Sequence, residues 1–136
     1  MTRTIAAAWL LFAALLTAQT TRSVWDGVYS ADQASRGHDV YAKECASCHG
    51  DELTGGESAP PLAGDAFLSD WIGQTVGDLF ERTRQSMPAN NPGKLSRAQN
   101  ADVIAYLLQA NRFPAGKQDL DKETEALKQI LIEEKK

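Results

Sequence analysis

The stretch Cys45-Ala46-Ser47-Cys48-His49 holds the only two cysteines of the 136-residue chain, three positions apart, with a histidine directly after the second. C-x-x-C-H is a haem-attachment sequence, in which the two thiols add across the two vinyl groups and the following histidine ligates the iron. On the last turn of a helix, that step separates the sulfurs by about the distance between the vinyls and carries His49 beneath the ring. Three other uses of these residues compete with it. A thioredoxin-type redox pair wants a βαβ context, which the surrounding sequence lacks. A zinc site wants about four ligands, and beyond His49 there is only His38. A plain Cys45–Cys48 disulfide would leave the loops described below with nothing to order them.

Working outward, Ser30-Ala31-Asp32-Gln33 has the form of a capping box that starts a helix running to about Ala46. Its core face carries Ala34, Gly37, Tyr41 and Cys45. Residues 50–70 hold Gly50, Gly55, Gly56, Pro60, Pro61 and Gly64 and show neither a strand nor a helix period. Thr75-Val76-Gly77-Asp78 is a second capping box, opening a helix with Leu79 and Phe80 inward that ends before Pro88. Residues 88–95 (PANNPGKL) form a further loop. Ser96-Arg97-Ala98-Gln99 is a third capping box, and the helix behind it, to about Ala110, puts Val103, Tyr106, Leu107 and Ala110 on one face. Residues 19–29, with Trp25, Val28 and Tyr29, form an extended lead that packs on the domain. Residues 114–119 read as a linker, and Leu127, Ile130, Leu131 and Ile132 among charges predict an amphipathic helix near 121–135. No repeat and no strand signal stands out. The expected architecture is all-α, with irregular loops long enough to require an ordering group.

The start of the chain has another character. Arg3 precedes an uncharged stretch at residues 5–16 (IAAAWLLFAALL), and Leu16-Thr17-Ala18 offers a small residue for cleavage before Gln19. Residues 1–18 therefore read as an export signal, shorter than the roughly 18–20 apolar residues of a membrane span. No cysteine near the cut supports a lipid anchor. Cleavage leaves 13 basic and 18 acidic residues, net −5, and a single methionine. The whole chain, at 24% charged and 43% apolar residues, has the composition of one ordinary domain. Its acidic balance argues against a nucleic-acid binder and a polybasic membrane-surface module.

An iron held by His49 needs a sixth ligand or keeps an open site. The mature chain offers His38 and Met87. His38 lies seven residues before Cys45 on the same helix, about 10 Å along its axis, which keeps it from the far side of the ring. Met87, 38 residues after His49 at a helix end followed by a loop, has the chain length to wrap to the opposite side. A His/Met pair raises the potential relative to a bis-His pair.

Cys45-Ala46-Ser47-Cys48-His49, the Ala59-Pro60-Pro61-Leu62-Ala63-Gly64 loop, Ser86-Met87-Pro88 and the final Asp102-Val103-Ile104-Ala105-Tyr106-Leu107 helix, in this order, resemble class I monohaem c-type cytochromes over about residues 30–110. The resemblance implies three main helices with long loops around one covalent haem c, followed here by an extra C-terminal helix. It implies that Gly37 and Tyr41 of the first helix pack against Val103 and Tyr106 of the last. It further implies that the Pro60 carbonyl accepts a hydrogen bond from the ligating His49, and that Trp71 lies near a haem propionate. In Ser23-Val24-Trp25-Asp26-Gly27-Val28-Tyr29-Ser30, Phe113-Pro114-Ala115-Gly116 and Ala126-Leu127-Lys128-Gln129-Ile130 the chain is similar to cytochrome domains that accompany quinoprotein (PQQ-dependent) dehydrogenases.

The expectation is a periplasmic electron carrier with residues 1–18 as signal, 19–29 as lead, 30–113 as cytochrome c domain and 114–136 as linker and helix. The cofactor-binding residues would be Cys45, Cys48, His49, Met87, Pro60 and Trp71, with His49 and Met87 on the metal. Redox proteins are the expected partners: a quinoprotein dehydrogenase as donor, and a terminal oxidase or another cytochrome as acceptor. An acidic carrier expects a basic patch on such a partner. Neither nucleic acid nor a membrane span after cleavage is expected. The competing possibility is an open-site haem peroxidase or gas sensor. Residues 82–96 supply Arg82, Arg84 and Lys94 but no histidine as a distal base for it.

Overall fold

The computed structural model describes residues 22–136, so the signal segment 1–18 lies outside the described residues. In chain order the elements are β1 (Arg22–Ser23), α1 (Ala31–Glu44), α2 (Ala46–His49), α3 (Asp65–Trp71), α4 (Val76–Ser86), α5 (Arg97–Ala110), α6 (Thr124–Leu127) and β2 (Ile130–Leu131). A single 3-10 turn, Val24–Asp26, follows β1.

Helix starts follow local chemistry. The Thr75 hydroxyl accepts the Asp78 N–H and the Asp78 carboxylate accepts the Thr75 N–H, which caps α4 reciprocally. Ser96 and Gln99 cap α5 in the same way. At α1 only half of the expected box forms. Ser30 caps the Gln33 N–H at 3.1 Å, but the Gln33 amide is turned away to clamp both backbone groups of Leu120, at 2.6 and 3.2 Å. A buried glutamine serves two orphan groups of a distant segment better than one exposed N-cap.

The core is built where α1 crosses α5. A Cβ on Gly37 would stand 1.8 Å from the Asp102 carbonyl oxygen, so the two backbones touch with no room for any side chain there. The rings of Tyr41 and Tyr106 lie 5.2 Å apart beside that contact. Helix α5 is buried nearly all round, with Ala101, Val103, Ile104, Ala105, Leu107 and Leu108 inside. Val24, Val28 and Tyr29 of the lead also join this core.

The structure corrects the sequence reading in three places. Residues 50–70 are not loop throughout. They end in α3, capped only by Gly64 without a side-chain bond, so no capping sequence announced it. The amphipathic helix expected near 121–135 is a single turn, α6, and Ile130-Leu131-Ile132 then runs extended. A strand signal was absent from the sequence reading, yet β2 pairs in parallel with β1, Arg22 opposite Ile130 and Ser23 opposite Leu131. The reason is burial. Ile130 and Ile132 are buried while Leu131 is half-buried, an alternation that suits an extended chain better than a helix. Residues 114–119 pack on the lead, with the Gly116 N–H donating to the Tyr29 carbonyl at 2.6 Å.

The tail is fixed to α4 and α5 by a polar network. The Arg97 guanidinium donates to the Thr124 hydroxyl at 2.7 Å and to the Lys122 carbonyl at 3.0 Å, and lies over the Phe80 ring. Thr124 in turn donates to Glu81, which also pairs with Arg84 at 2.8 Å. Hydrogen bonds from Arg84 and Thr124 hold the Glu81 carboxyl down to about 2. A carboxyl lowered on folding contributes stability above its unfolded value of 4.5 and loses it as pH falls toward the folded value. Glu81→Gln should therefore flatten the loss of thermal stability of the haem-loaded protein between about pH 4.5 and about pH 2. Melts recorded across that window check it, and parallel acid limbs for variant and parent would contradict the role.

Candidate haem site

Helix α1 stops at Glu44, and Cys45, with φ −125° and ψ −36°, breaks the helix before α2 resumes with Ala46 to His49. The short helix is held by Cys48 N–H and His49 N–H bonds to the Cys45 carbonyl, at 3.2 and 3.0 Å. Tyr41 donates its hydroxyl to the Gly50 carbonyl at 2.7 Å, tying the exit of α2 back to α1. Burial pushes the Tyr41 phenol up to about 12, and burial followed by the nearby Glu44 charge pushes the Cys45 thiol up to about 11, so both groups are neutral at physiological pH.

His49 is buried, and its Nδ1 lies 2.9 Å from the Pro60 carbonyl oxygen. A carbonyl only accepts, which assigns the proton to Nδ1 and leaves Nε2 as the free lone pair. The same cavity is lined by Met87, the residue that caps the C-terminus of α4 in extended conformation (φ −119°, ψ 153°) with its N–H bonded to the Thr83 carbonyl.

That cavity has a volume of about 730 Å³. It brings together all six residues singled out in the sequence: Cys45, Cys48, His49, Pro60, Trp71 and Met87. Leu62, Phe67, Leu79, Val103 and Leu107 supply its apolar walls. Volume, apolar walls and a nitrogen donor and a sulfur donor in one lining fit a haem c attached through the two cysteines. His38 does not line the cavity. It is exposed near Asp39 and packs edge-on to Tyr106 at 5.2 Å. Among the described residues no group of three histidine, cysteine or acidic side chains stands close enough to hold a metal ion.

Sequence reasoning missed part of the lining. Arg82, Thr83 and Ser86 join Leu79, which was expected inward, on one face of α4 that looks into the cavity and ends at Met87. Counting back from Met87 at helical spacing would have found them. Gln74, just after α3, also lines the cavity and was not expected.

Comparison with known proteins settles the family. The family described as "Cytochrome C oxidase, cbb3-type, subunit III" matches residues 32–107, from the first turn of α1 into α5 and across the whole attachment motif. The chain belongs to this family of cytochrome c domains. The cytochrome c domain is 33% identical over 95 residues to a cytochrome bc1 complex cytochrome c subunit of Corynebacterium diphtheriae, covering 66% of this chain and 31% of that protein. It is 34% identical over 79 residues to a thiosulfate dehydrogenase of Stutzerimonas stutzeri, covering 54% of this chain and 26% of that protein. Among solved structures it resembles the sulfane dehydrogenase SoxCD of Paracoccus pantotrophus, with 28% identity and a TM-score of 0.53 over 79% of this chain and 61% of that one. The chain thus spans less than a third of the curated relatives it matches. The cytochrome c domain binds haem c through Cys45 and Cys48, belongs to an electron-transfer family and has the mostly helical class I fold.

Proposed function

We propose that this cytochrome c domain is a periplasmic carrier of single electrons, with His49 and Met87 on the two sides of the iron. The observation that carries the reading is the single cavity lined by a buried His49, whose Nδ1 is engaged by Pro60, and by Met87 at a fixed helix end. Haem c supplies a one-electron Fe(III)/Fe(II) couple when bound. The Pro60 carbonyl fixes the orientation of the His49 ring, as a partner behind a ligating histidine does. Trp71, on the cavity wall, would lie toward a propionate. Held by both His49 and Met87, the haem iron would be left without a position for a substrate.

The donor proposed is a dehydrogenase of the quinoprotein type, and the acceptor a terminal oxidase or another cytochrome. Charge supports a basic partner surface. Residues 50–81, which supply much of the cavity wall, contain seven acids and no lysine, arginine or histidine. No helix among the described residues is long and apolar enough to cross a membrane. Export rests on residues 1–18.

Near-infrared spectra of the oxidised protein test the ligation. The sulfur-to-iron(III) band should be present, and Met87→Ala should fold with its haem attached, lose the band and drop to a lower potential. A parent protein without the band would favour the open-site peroxidase or sensor instead.

A further inference from the structure

Helix α4 sends its two arginines in opposite directions. Glu81, Arg84 and Gln85 lie on one side, where Arg84 pairs with Glu81 at 2.8 Å and Gln85 donates to the same carboxylate. Leu79, Arg82, Thr83 and Ser86, spaced i, i+3, i+4 and i+7, lie on the side that lines the cavity. Among the described residues Arg82 is the one lysine or arginine in that lining, and it makes no ion pair there. The cavity's own acids are Glu44, already held by Lys94 at 3.0 Å, and Asp70. A haem c brings two propionate carboxylates into this lining. Carboxylates drawn out of water require charged or hydrogen-bonding partners.

We propose that Arg82 is the cationic anchor for a haem propionate in this protein, its guanidinium N–H groups donating to the carboxylate oxygens. This rests on the placement of haem c in the cavity. It adds to that placement a residue that orients the cofactor and sets its potential. A positive charge beside the porphyrin favours the reduced iron, so Arg82 raises the midpoint potential.

The test is redox titration of the haem-loaded protein and of Arg82→Gln, Arg82→Lys and Arg84→Gln. Arg84→Gln makes the same change in net charge on the same helix, on the side away from the cavity. At an ambient potential equal to the parent midpoint, Arg82→Gln should lower the Fe(II)/Fe(III) ratio roughly threefold, the scale of one partly screened unit charge. Arg82→Lys should restore most of that shift, and Arg84→Gln should leave the ratio close to one. Equal shifts in Arg82→Gln and Arg84→Gln, or no shift in either, would overturn the assignment. Should Arg82→Gln fail to accumulate, Arg82→Met, which keeps an unbranched stem without the charge, takes its place: a shift like the one expected of Arg82→Gln supports the assignment, and a shift no larger than that of Arg84→Gln overturns it. The sulfur-to-iron(III) band recorded on the same samples separates this outcome from a failure of the His49/Met87 ligation, because Arg82 acts without touching the iron.

Discussion

Cys48→Ala and His49→Ala are each expected to leave almost no folded protein. The cavity they border has a volume of about 730 Å³. Without the porphyrin, an apolar cleft of that size leaves its walls unpacked and exposed to water. A whole domain has only about 5–15 kcal/mol of stability to lose. Without the porphyrin the walls formed by Leu62, Phe67, Leu79, Val103 and Leu107 must collapse or flood. Cys48→Ala removes one of two covalent tethers, and His49→Ala removes the side chain proposed to hold the iron together with its bond to the Pro60 carbonyl. Circular dichroism and a haem stain of the exported product measure the outcome. A haem-free protein with native helix content and a sharp melt would show that the polypeptide supplies its own core.

Gly37→Ala is the second large effect. In an ordinary helix interior this change stabilises by roughly 0.5–1 kcal/mol, because alanine restricts the unfolded chain. Here the sign reverses. The new Cβ would stand 1.8 Å from the Asp102 carbonyl oxygen and 3.0 Å from the Tyr106 Cβ, and a backbone carbonyl within α5 has no rotamer by which to yield. The helices must part, and with them the Tyr41–Tyr106 contact and the Val103 wall of the cavity. A loss of more than about 3 kcal/mol is expected, in the range of severe overpacking. Denaturant unfolding of the haem-loaded variant measures it. A stability equal to or above that of the parent would mean that α1 and α5 do not meet backbone to backbone.

What the sequence disclosed was what local chemistry controls. The Thr75–Asp78 and Ser96–Gln99 boxes act over three residues, and α5 ends at Ala110, where its apolar pattern stops. The Cys45–His49 motif and Met87 likewise led to residues that the fold brings around one cavity. What it hid depends on distant partners. Gln33 forgoes its cap for Leu120, 87 positions away, and Ile130 to Ile132 runs extended beside a lead more than a hundred residues earlier. No periodicity within a segment can report such a choice. Helix α3 was hidden for another reason, since Gly64 caps it without a side chain. Arg82 needed a phase along α4 that became readable only once Met87 was placed on the cavity.

The pairing of Arg22–Ser23 with Ile130–Leu131 has a kinetic consequence. A chain that emerges from its N-terminus must leave the lead without its partner until nearly all the remaining residues have appeared. Contacts of such sequence separation close late, because the intervening polymer must first be ordered. The attachment motif at residues 45–49 is synthesised well before that final pairing can form. The same last segment bonds to Gly73 and Gln74, at the edge of the cavity wall, so the late pairing of the lead closes beside residues that border the cavity.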